Sequence, residues 1–192
     1  MSARGVTRAQ VLATAQDLFS RQGYHATGVN QILDEAAAPK GSLYFHFPGG
    51  KKQLAAEAVN LGAEAFGREL EEVLAETAGP VEALGAITER LARRLEDSDF
   101  LEGCPVATVA LDAGDIEPVR QECWNGYQGW LGSITRHLAQ AGVPEPAAYD
   151  VALLVLSALE GAMLLAATQH DAAPVRRVGA QLAALLAGAV PQ

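Results

Sequence analysis

Cysteine is scarce in this chain of 192 residues: there are two, Cys104 and Cys123, and they form no CxxC pair. Two thiols are too few for a disulfide framework. Aromatic residues make up 6% of the chain and charged residues 19%, and runs of β-branched residues are few. The low charge excludes a long solvated coiled coil, and the shortage of β-branched residues argues against a sheet.

Apolar residues, mostly Ala and Leu, make up 49% of the chain, which excludes wholesale disorder and favours an all-α fold. The longest apolar run is Val151–Ala167, and Glu160 interrupts it. A carboxylate at the centre of a membrane span costs about 2.5–3.5 kcal/mol, so we expect a buried helix and no membrane partner. Residues 1–8 do not resemble a signal peptide. Together with the scarce cysteine, this predicts a cytoplasmic protein.

The net charge of −9 is unevenly distributed. Residues 1–52 carry six basic and three acidic side chains, whereas the remaining 140 residues carry eight basic and twenty acidic ones. A basic head on an acidic body suggests that the head alone meets a polyanion. Chance is the alternative explanation for so small a surplus.

Helical periodicity recurs along the whole chain. The first stripe contains Val11, Ala15 and Leu18, and Gly23 is suited to end that helix. Thr7 and Thr27 are candidate N-caps of the first and second helices. We predict nine helices: Thr7–Gln22, Gly28–Ala36, Lys40–His46, Lys51 to about Leu74, Val81–Leu95, Pro105–Ala113, Pro118 to about Ala141, Ala147–His170 and Pro174–Val190.

The first three helices are short and are predicted to form a helix-turn-helix domain over residues 1–50. A helical body would then occupy residues 51–192. Residues 37–39 form the turn, and Leu43 and Phe47 anchor the recognition helix inward. Gly41 would let the backbone approach a duplex closely. The polar side chains that can face outward are Lys40, Ser42, Tyr44 and His46.

The segment from Thr27 to Phe47, TGVNQILDEAAAPKGSLYFHF, resembles the DNA-binding signature of the TetR family of bacterial transcriptional regulators. Its last eight residues match the family's recognition helix at nearly every position. The resemblance implies double-stranded operator DNA as a partner. The DNA-binding residues that we predict are Arg4, Thr27, Lys40, Gly41, Ser42, Tyr44, Phe45, His46, Lys51 and Lys52.

Two departures from the family pattern matter. Ala37 stands where the family commonly has Gly, and Ala costs on the order of 1 kcal/mol if that position is left-handed. The loop before Lys51 is one residue longer than usual, so either Lys51 or Lys52 takes the phosphate-binding role. Arg4 belongs to an N-terminal arm for which two readings stay open: it is disordered, or it tracks a groove of the DNA.

Three further segments, residues 47–54, 102–112 and 158–165, resemble the LmrA/YxaF-type branch of the family. The resemblance to the TetR family implies a homodimer in which residues 51–192 form a ligand-binding and dimerisation domain. The resemblance to this branch implies drug-like or flavonoid-like inducers. We predict a largely apolar or aromatic small-molecule inducer, with a neutral or cationic one mildly favoured by the acidic body. The predicted ligand-binding residues are Phe66, Phe100, Cys104, Thr108, Cys123, Tyr127, Trp130 and Met163.

The last two predicted helices are apolar on more than one face, as expected of a symmetric four-helix interface. The predicted interface residues are Leu153, Leu156, Ala158, Gly161, Leu164, Leu182, Leu185 and Leu186. The sequence therefore predicts a homodimeric, ligand-responsive repressor with no cofactor.

Other functions are less well supported by the sequence. His25, His137 and His170 lack the spacing of a metal site, and no catalytic triad has a supporting motif, so we predict neither a metal nor an enzyme. The competing class is a helical binding or structural protein that has lost DNA binding. A redox pair of Cys104 and Cys123 is a further alternative, although a buried free cysteine is more often a small core residue.

Overall fold

The computed structural model describes residues 3–189, and side chains within residues 8–188. Over this range the chain is all-helical, with nine helices and no strand, as predicted. The helices are α1 Ala3–Gln22, α2 Val29–Glu35, α3 Ser42–His46, α4 Gly50–Glu76, α5 Pro80–Asp97, α6 Ala107–Asp112, α7 Glu117–Gln140, α8 Ala147–Gln169 and α9 Ala173–Ala189.

Most predicted boundaries lie within two residues of the observed ones, and the exception is the start of α1. The helix begins at Ala3, so Thr7 lies inside it and the predicted N-cap is wrong. Ala3 and Arg4 are good helix formers, which allows the helix to extend past Thr7. Gly23 ends α1 as predicted, with a left-handed φ of +80°.

The chain divides into two compact units. The first comprises the residues up to Ala65 together with Cys104–Gly126, and the second comprises Phe66–Gly103 together with the residues from Tyr127 onward. This division does not follow the predicted boundary near residue 50, because α4 and the α6–α7 region contribute to the first unit. The functional division at residue 50 stays a prediction.

The first unit has an apolar core built from the inner faces of its helices. Each helix buries residues three or four positions apart, which is the spacing of one helical face. The fully buried large side chains are Val11, Phe19, Ile32, Leu33, Leu43, Phe47, Leu54, Val106, Val109 and Val119. The guanidinium of Arg8 also crosses this unit: it forms an ion pair with Glu57 and lies 4.7 Å from the centroid of the Phe47 ring.

In the second unit, α5, α8 and α9 pack against one another. The contact between α5 and α9 is close at Gly179, where an added Cβ would overlap the side chain of Thr88. Arg176 of α9 ties the same two helices together by donating to Glu89 at 2.9 Å and to Glu96 at 2.6 Å. Hydrogen bonds from Arg176 and Arg93 lower the pKa of Glu89 from 4.5 to about 2.

Candidate nucleic-acid interface

The turn between α2 and α3 has the tight geometry of a helix-turn-helix. Ala37 adopts φ +51°, so the position is left-handed although it holds Ala. The N–H of Ala38 donates to the carbonyl of Leu33 at 2.8 Å, and the N–H of Ala37 donates to Asp34 at 3.1 Å. These bonds close the end of α2 and fix where the chain leaves it.

The helix that we predict to be the recognition helix is shorter than expected, since α3 begins at Ser42 and not at Lys40. The N–H and the hydroxyl of Ser42 both donate to the carbonyl of Pro39, at 2.8 and 2.7 Å. These bonds form a turn over residues 39–42. Lys40 and Gly41 are therefore in the turn that leads into the helix, where both are exposed.

The two faces of α3 differ sharply. Leu43 and Phe47 are buried, as predicted, and anchor the helix in the core of its unit. Tyr44 and Phe45 are 70% and 62% exposed. His46 is half-buried beside them, with its ring centroid 5.0 Å from that of Phe45. The outer face thus presents a phenol, an apolar ring and an imidazole side by side.

Thr27 is not the N-cap of α2, because Gly28 occupies that position and makes no side-chain capping bond. The side chain of Thr27 is fully buried, and its hydroxyl donates to the carbonyl of Gly23 at 2.7 Å. The bond joins the end of α1 to the start of α2. A role of Thr27 in DNA binding would therefore be indirect, through the turn that it holds.

The two candidate phosphate-binding lysines have different surroundings. Lys51 is half-buried, with Nζ 4.2 Å from the centroid of the Tyr24 ring. Burial lowers the pKa of Lys51, and the charge of Asp112 acts in the opposite direction. Lys52 is exposed. The backbone of Arg4 lies in α1, and its side chain falls outside the described side chains.

A contact that sequence reasoning missed joins α6 to the turn after α1. The carboxylate of Asp112, the last residue of α6, accepts a hydrogen bond from the N–H of His25 at 2.6 Å. A Cβ added at Gly23 would lie 2.8 Å from the same carboxylate oxygen. Asp112 therefore lies directly against the turn that precedes the helix-turn-helix.

Three of the predicted ligand-binding residues come together in the second unit. The ring of Trp130 lies 4.6 Å from that of Phe66 and 5.4 Å from that of Tyr127, both edge-on. Trp130 is 2% exposed. Phe100 is outside this cluster and contacts the ring of His170 at 5.3 Å. Edge-on aromatic groups of this kind form well-defined apolar walls.

The remaining predicted ligand-binding residues are buried or half-buried. Met163 is buried on α8, and Thr108 is half-buried on α6. Cys104 and Cys123 are both buried and are not joined in a disulfide. Burial raises the pKa of Cys123 to about 11, which keeps this thiol protonated at neutral pH and disfavours a thiolate switch. Among the described residues, no three His, Cys, Asp or Glu side chains converge as metal ligands.

A small apolar recess of about 40 Å³ lies between α4 and α5. It adjoins an open, charged groove of about 840 Å³ along the same two helices. Phe66 lines the recess and also contacts Trp130, so the recess adjoins the aromatic cluster. The other residues that line the recess are Glu69, Leu70, Val73, Ile87, Arg90, Leu91 and Arg94.

The outer surface of α8 and α9 is unusually apolar. The predicted interface residues Leu153, Gly161, Leu164 and Leu185 are exposed, and Leu156 and Ala158 are half-buried. Leu182 and Leu186 are instead buried inside the protomer. Sequence reasoning missed three large apolar side chains that are exposed on α8: Tyr149, Leu154 and Leu165.

By length and composition alone, α8 could cross a membrane, and a third of its most apolar stretch is buried inside the protein. Core helices of other proteins pass the same test, so this is weak evidence for a span.

Comparison with known proteins agrees with this geometry. Residues 11–58 match the model of the bacterial regulatory proteins of the tetR family. Residues 80–181 match the C-terminal domain of LmrA/YxaF-like transcriptional regulators. The first match contains α2, α3 and the turn between them, and the second contains most of the helices of the second unit.

Similar proteins match over nearly their whole length. The uncharacterised HTH-type transcriptional regulator YxaF of Bacillus subtilis is 36% identical over 97% of this chain and 98% of its own. The HTH-type transcriptional regulator LmrA of the same organism is 36% identical over 95% of this chain and 97% of its own. A TetR transcriptional regulator from Chloroflexus aurantiacus, solved by crystallography, superposes with a TM-score of 0.84 at 30% identity and covers 99% of this chain and 98% of its own.

These are families of transcriptional regulators, not of enzymes. The geometry of the helix-turn-helix, the two family matches and the full-length relatives all agree. The chain belongs to the TetR family of bacterial transcriptional regulators, in its LmrA/YxaF-like branch.

Proposed function

We propose that this protein is a homodimeric repressor that binds a palindromic operator and leaves it when a small, largely apolar or aromatic molecule binds. The outer face of α3 is the observation that carries the proposal. Tyr44 and Phe45 project from it, and exposed Lys40 precedes it. A cationic group just before a short helix and a phenolic group on it suit phosphate and base-edge contacts in a major groove.

A gel-shift titration with the DNA that flanks the gene tests operator binding. Lys40→Ala and Tyr44→Ala should each weaken binding by about 1–3 kcal/mol, or about 5- to 150-fold, with unchanged circular dichroism. Arg68→Ala on α4 is the matched control, because it removes an exposed cation outside the helix-turn-helix. Equal affinity of the Lys40 and Tyr44 variants and the wild type would contradict the assignment of the recognition surface.

The phosphate-binding role falls to Lys52 in this proposal. Lys52 is exposed, whereas the ammonium of Lys51 lies over the ring of Tyr24. Lys52→Ala should lower the slope of log affinity against log salt by about one phosphate contact per protomer. The same substitution at Lys51 should leave that slope nearly unchanged, and the reverse pattern would exchange their roles.

The exposed stripe on α8 supports the dimer. Leu153, Leu154, Gly161, Leu164 and Leu165 are spaced so that they share one helical face over three turns. Apolar patches of this extent on a protein surface mark interaction sites. Pairing α8 and α9 with the same helices of a second copy would cover the stripe with a four-helix bundle.

Sedimentation at micromolar concentration tests the dimer. The wild type should sediment at twice its 20.1 kDa mass, and Leu164→Glu should sediment as a monomer. Leu111→Glu on α6 is the control, since Leu111 is 86% exposed outside α8 and α9 and should tolerate the charge. A wild type that remains a monomer throughout would count against the proposal.

The cluster of Phe66, Tyr127 and Trp130 supports an aromatic inducer, because edge-on rings offer apolar walls to a planar ligand. Trp124→Phe would leave Trp130 as the one tryptophan, so its fluorescence would report binding in a screen of aromatic compounds. Trp130→Phe removes this reporter, so its effect is measured on DNA. The variant should still bind the operator, but any compound found should release it from the operator less effectively. A screen in which only small anions released the operator would overturn this part.

We place the protein in the cytoplasm, because operator DNA is its proposed partner. No cofactor is required by this function.

A further inference from the structure

Phe45 is the one side chain on the outer face of α3 that has no polar atom. It is 62% exposed, beside Tyr44 and His46, which both carry hydrogen-bonding groups. A phenyl ring can neither donate to a phosphate nor pair with a base edge. If the helix enters a groove, the exposed part of this ring is best buried against an apolar group there.

The local geometry leaves room for such a contact. Phe45 follows Gly41 by four residues, so the two lie on the same side of the turn and helix. A Cβ added at Gly41 would meet nothing within 4 Å, so the space over the backbone at Gly41 is open. The ring of His46 stands nearly perpendicular to that of Phe45, at 81°, and supports it on one side.

The major groove presents one apolar group, the C5-methyl of thymine, and phenylalanine is among the side chains suited to contact it. We infer that Phe45 is a specificity-determining residue that packs against a thymine methyl in each operator half-site. This inference rests on the proposed operator binding and adds to it a base, thymine, that is recognised through its methyl group. Tyr44 and Lys40 supply polar contacts on the same surface.

Removal of single methyl groups tests the inference. An operator is first selected from a pool of random duplexes by the wild-type protein, and each thymine of a half-site is then replaced in turn by deoxyuridine. At one thymine position, the replacement should lower the affinity of the protein for the operator about fourfold when it is made in one half-site. It should lower the affinity about 14-fold when it is made in both, as expected for the loss of one buried methyl in each half-site. With Phe45→Ala, the same replacement should change affinity by less than twofold.

Two further variants separate this contact from a general weakening. Phe45→Leu retains an apolar side chain and should keep part of the methyl dependence. Tyr44→Ala should bind more weakly overall but retain the full dependence, because its contacts are to other groups. Circular dichroism of each variant shows that the helices are intact.

The outcomes distinguish the inference from the proposed function. A wild type that selects a sequence but shows no methyl-dependent thymine overturns the inference alone. A dependence that persists unchanged in Phe45→Ala also overturns it, because another side chain then reads the methyl. A wild type that selects no sequence overturns the proposed function, and this inference with it.

Discussion

Ala37 holds a left-handed backbone conformation that favours glycine, so Ala37→Gly should stabilise the protein. At φ +51°, an L-residue with a Cβ costs roughly 1–2 kcal/mol relative to the right-handed form. Glycine removes that cost but raises the entropy of the unfolded chain by about 0.4–1 kcal/mol. The two ranges give an expected net gain of about 0–1.6 kcal/mol, centred near 0.8 kcal/mol, and the central value corresponds to a rise in Tm of about 2–3 °C for a chain of this size.

Thermal unfolding at a fixed protein concentration measures this gain, since a dimer's Tm depends on concentration. Ala86→Gly is the matched control: Ala86 is exposed in the interior of α5, so glycine should destabilise there by about 1 kcal/mol. The opposite signs of the two changes are the test. If Ala37→Gly lowers Tm as Ala86→Gly does, the left-handed conformation of Ala37 does not destabilise the folded protein.

Two further predictions concern the packing of α5 against α9. Gly179→Ala should destabilise by about 1–3 kcal/mol in urea unfolding, because the new methyl overlaps Thr88, whereas Gly85→Ala on the open side of α5 should be stabilising. Arg176→Met should raise the pKa of Glu89 from about 2 part of the way towards 4.5, as measured by carboxyl NMR titration. Because the folded-state pKa of Glu89 is depressed, its contribution to stability is present above pH 4.5 and is lost as the pH falls towards 2; the variant should lose less stability over that interval. A Glu89 pKa unchanged by the substitution would remove Arg176 as the cause.

The helices could be predicted from the sequence because each has a strong local signal. Apolar residues recur at helical spacing throughout, and Pro and Gly separate the helices. The termini were less predictable where two local signals compete. At α1, the capping propensity of Thr7 is outweighed by good helix formers that precede it. At α3, the turn bonds from Ser42 to the Pro39 carbonyl replace the first helical turn expected at Lys40.

The exposed face of α3 could also be predicted, since burial on a short helix follows from spacing alone. Leu43 and Phe47 are four residues apart and face the core, which leaves Tyr44 and Phe45 outside. The environment of Lys51 could not be predicted in this way. Its position over the ring of Tyr24 joins the start of α4 to the turn after α1, and the sequence of neither segment indicates that the two meet.

Asp112 shows why the contact between α6 and the turn after α1 is invisible in the sequence. Its partner is the backbone N–H of His25, 87 residues away, and a backbone N–H has no signature of its own. Gly23 is required there for two reasons: its φ of +80° ends α1, and a Cβ would press against the Asp112 carboxylate. The first reason is local and can be read as a helix stop. The second depends on where α6 docks, so the same glycine that ends a helix also makes room for the carboxylate beside the DNA-binding helices.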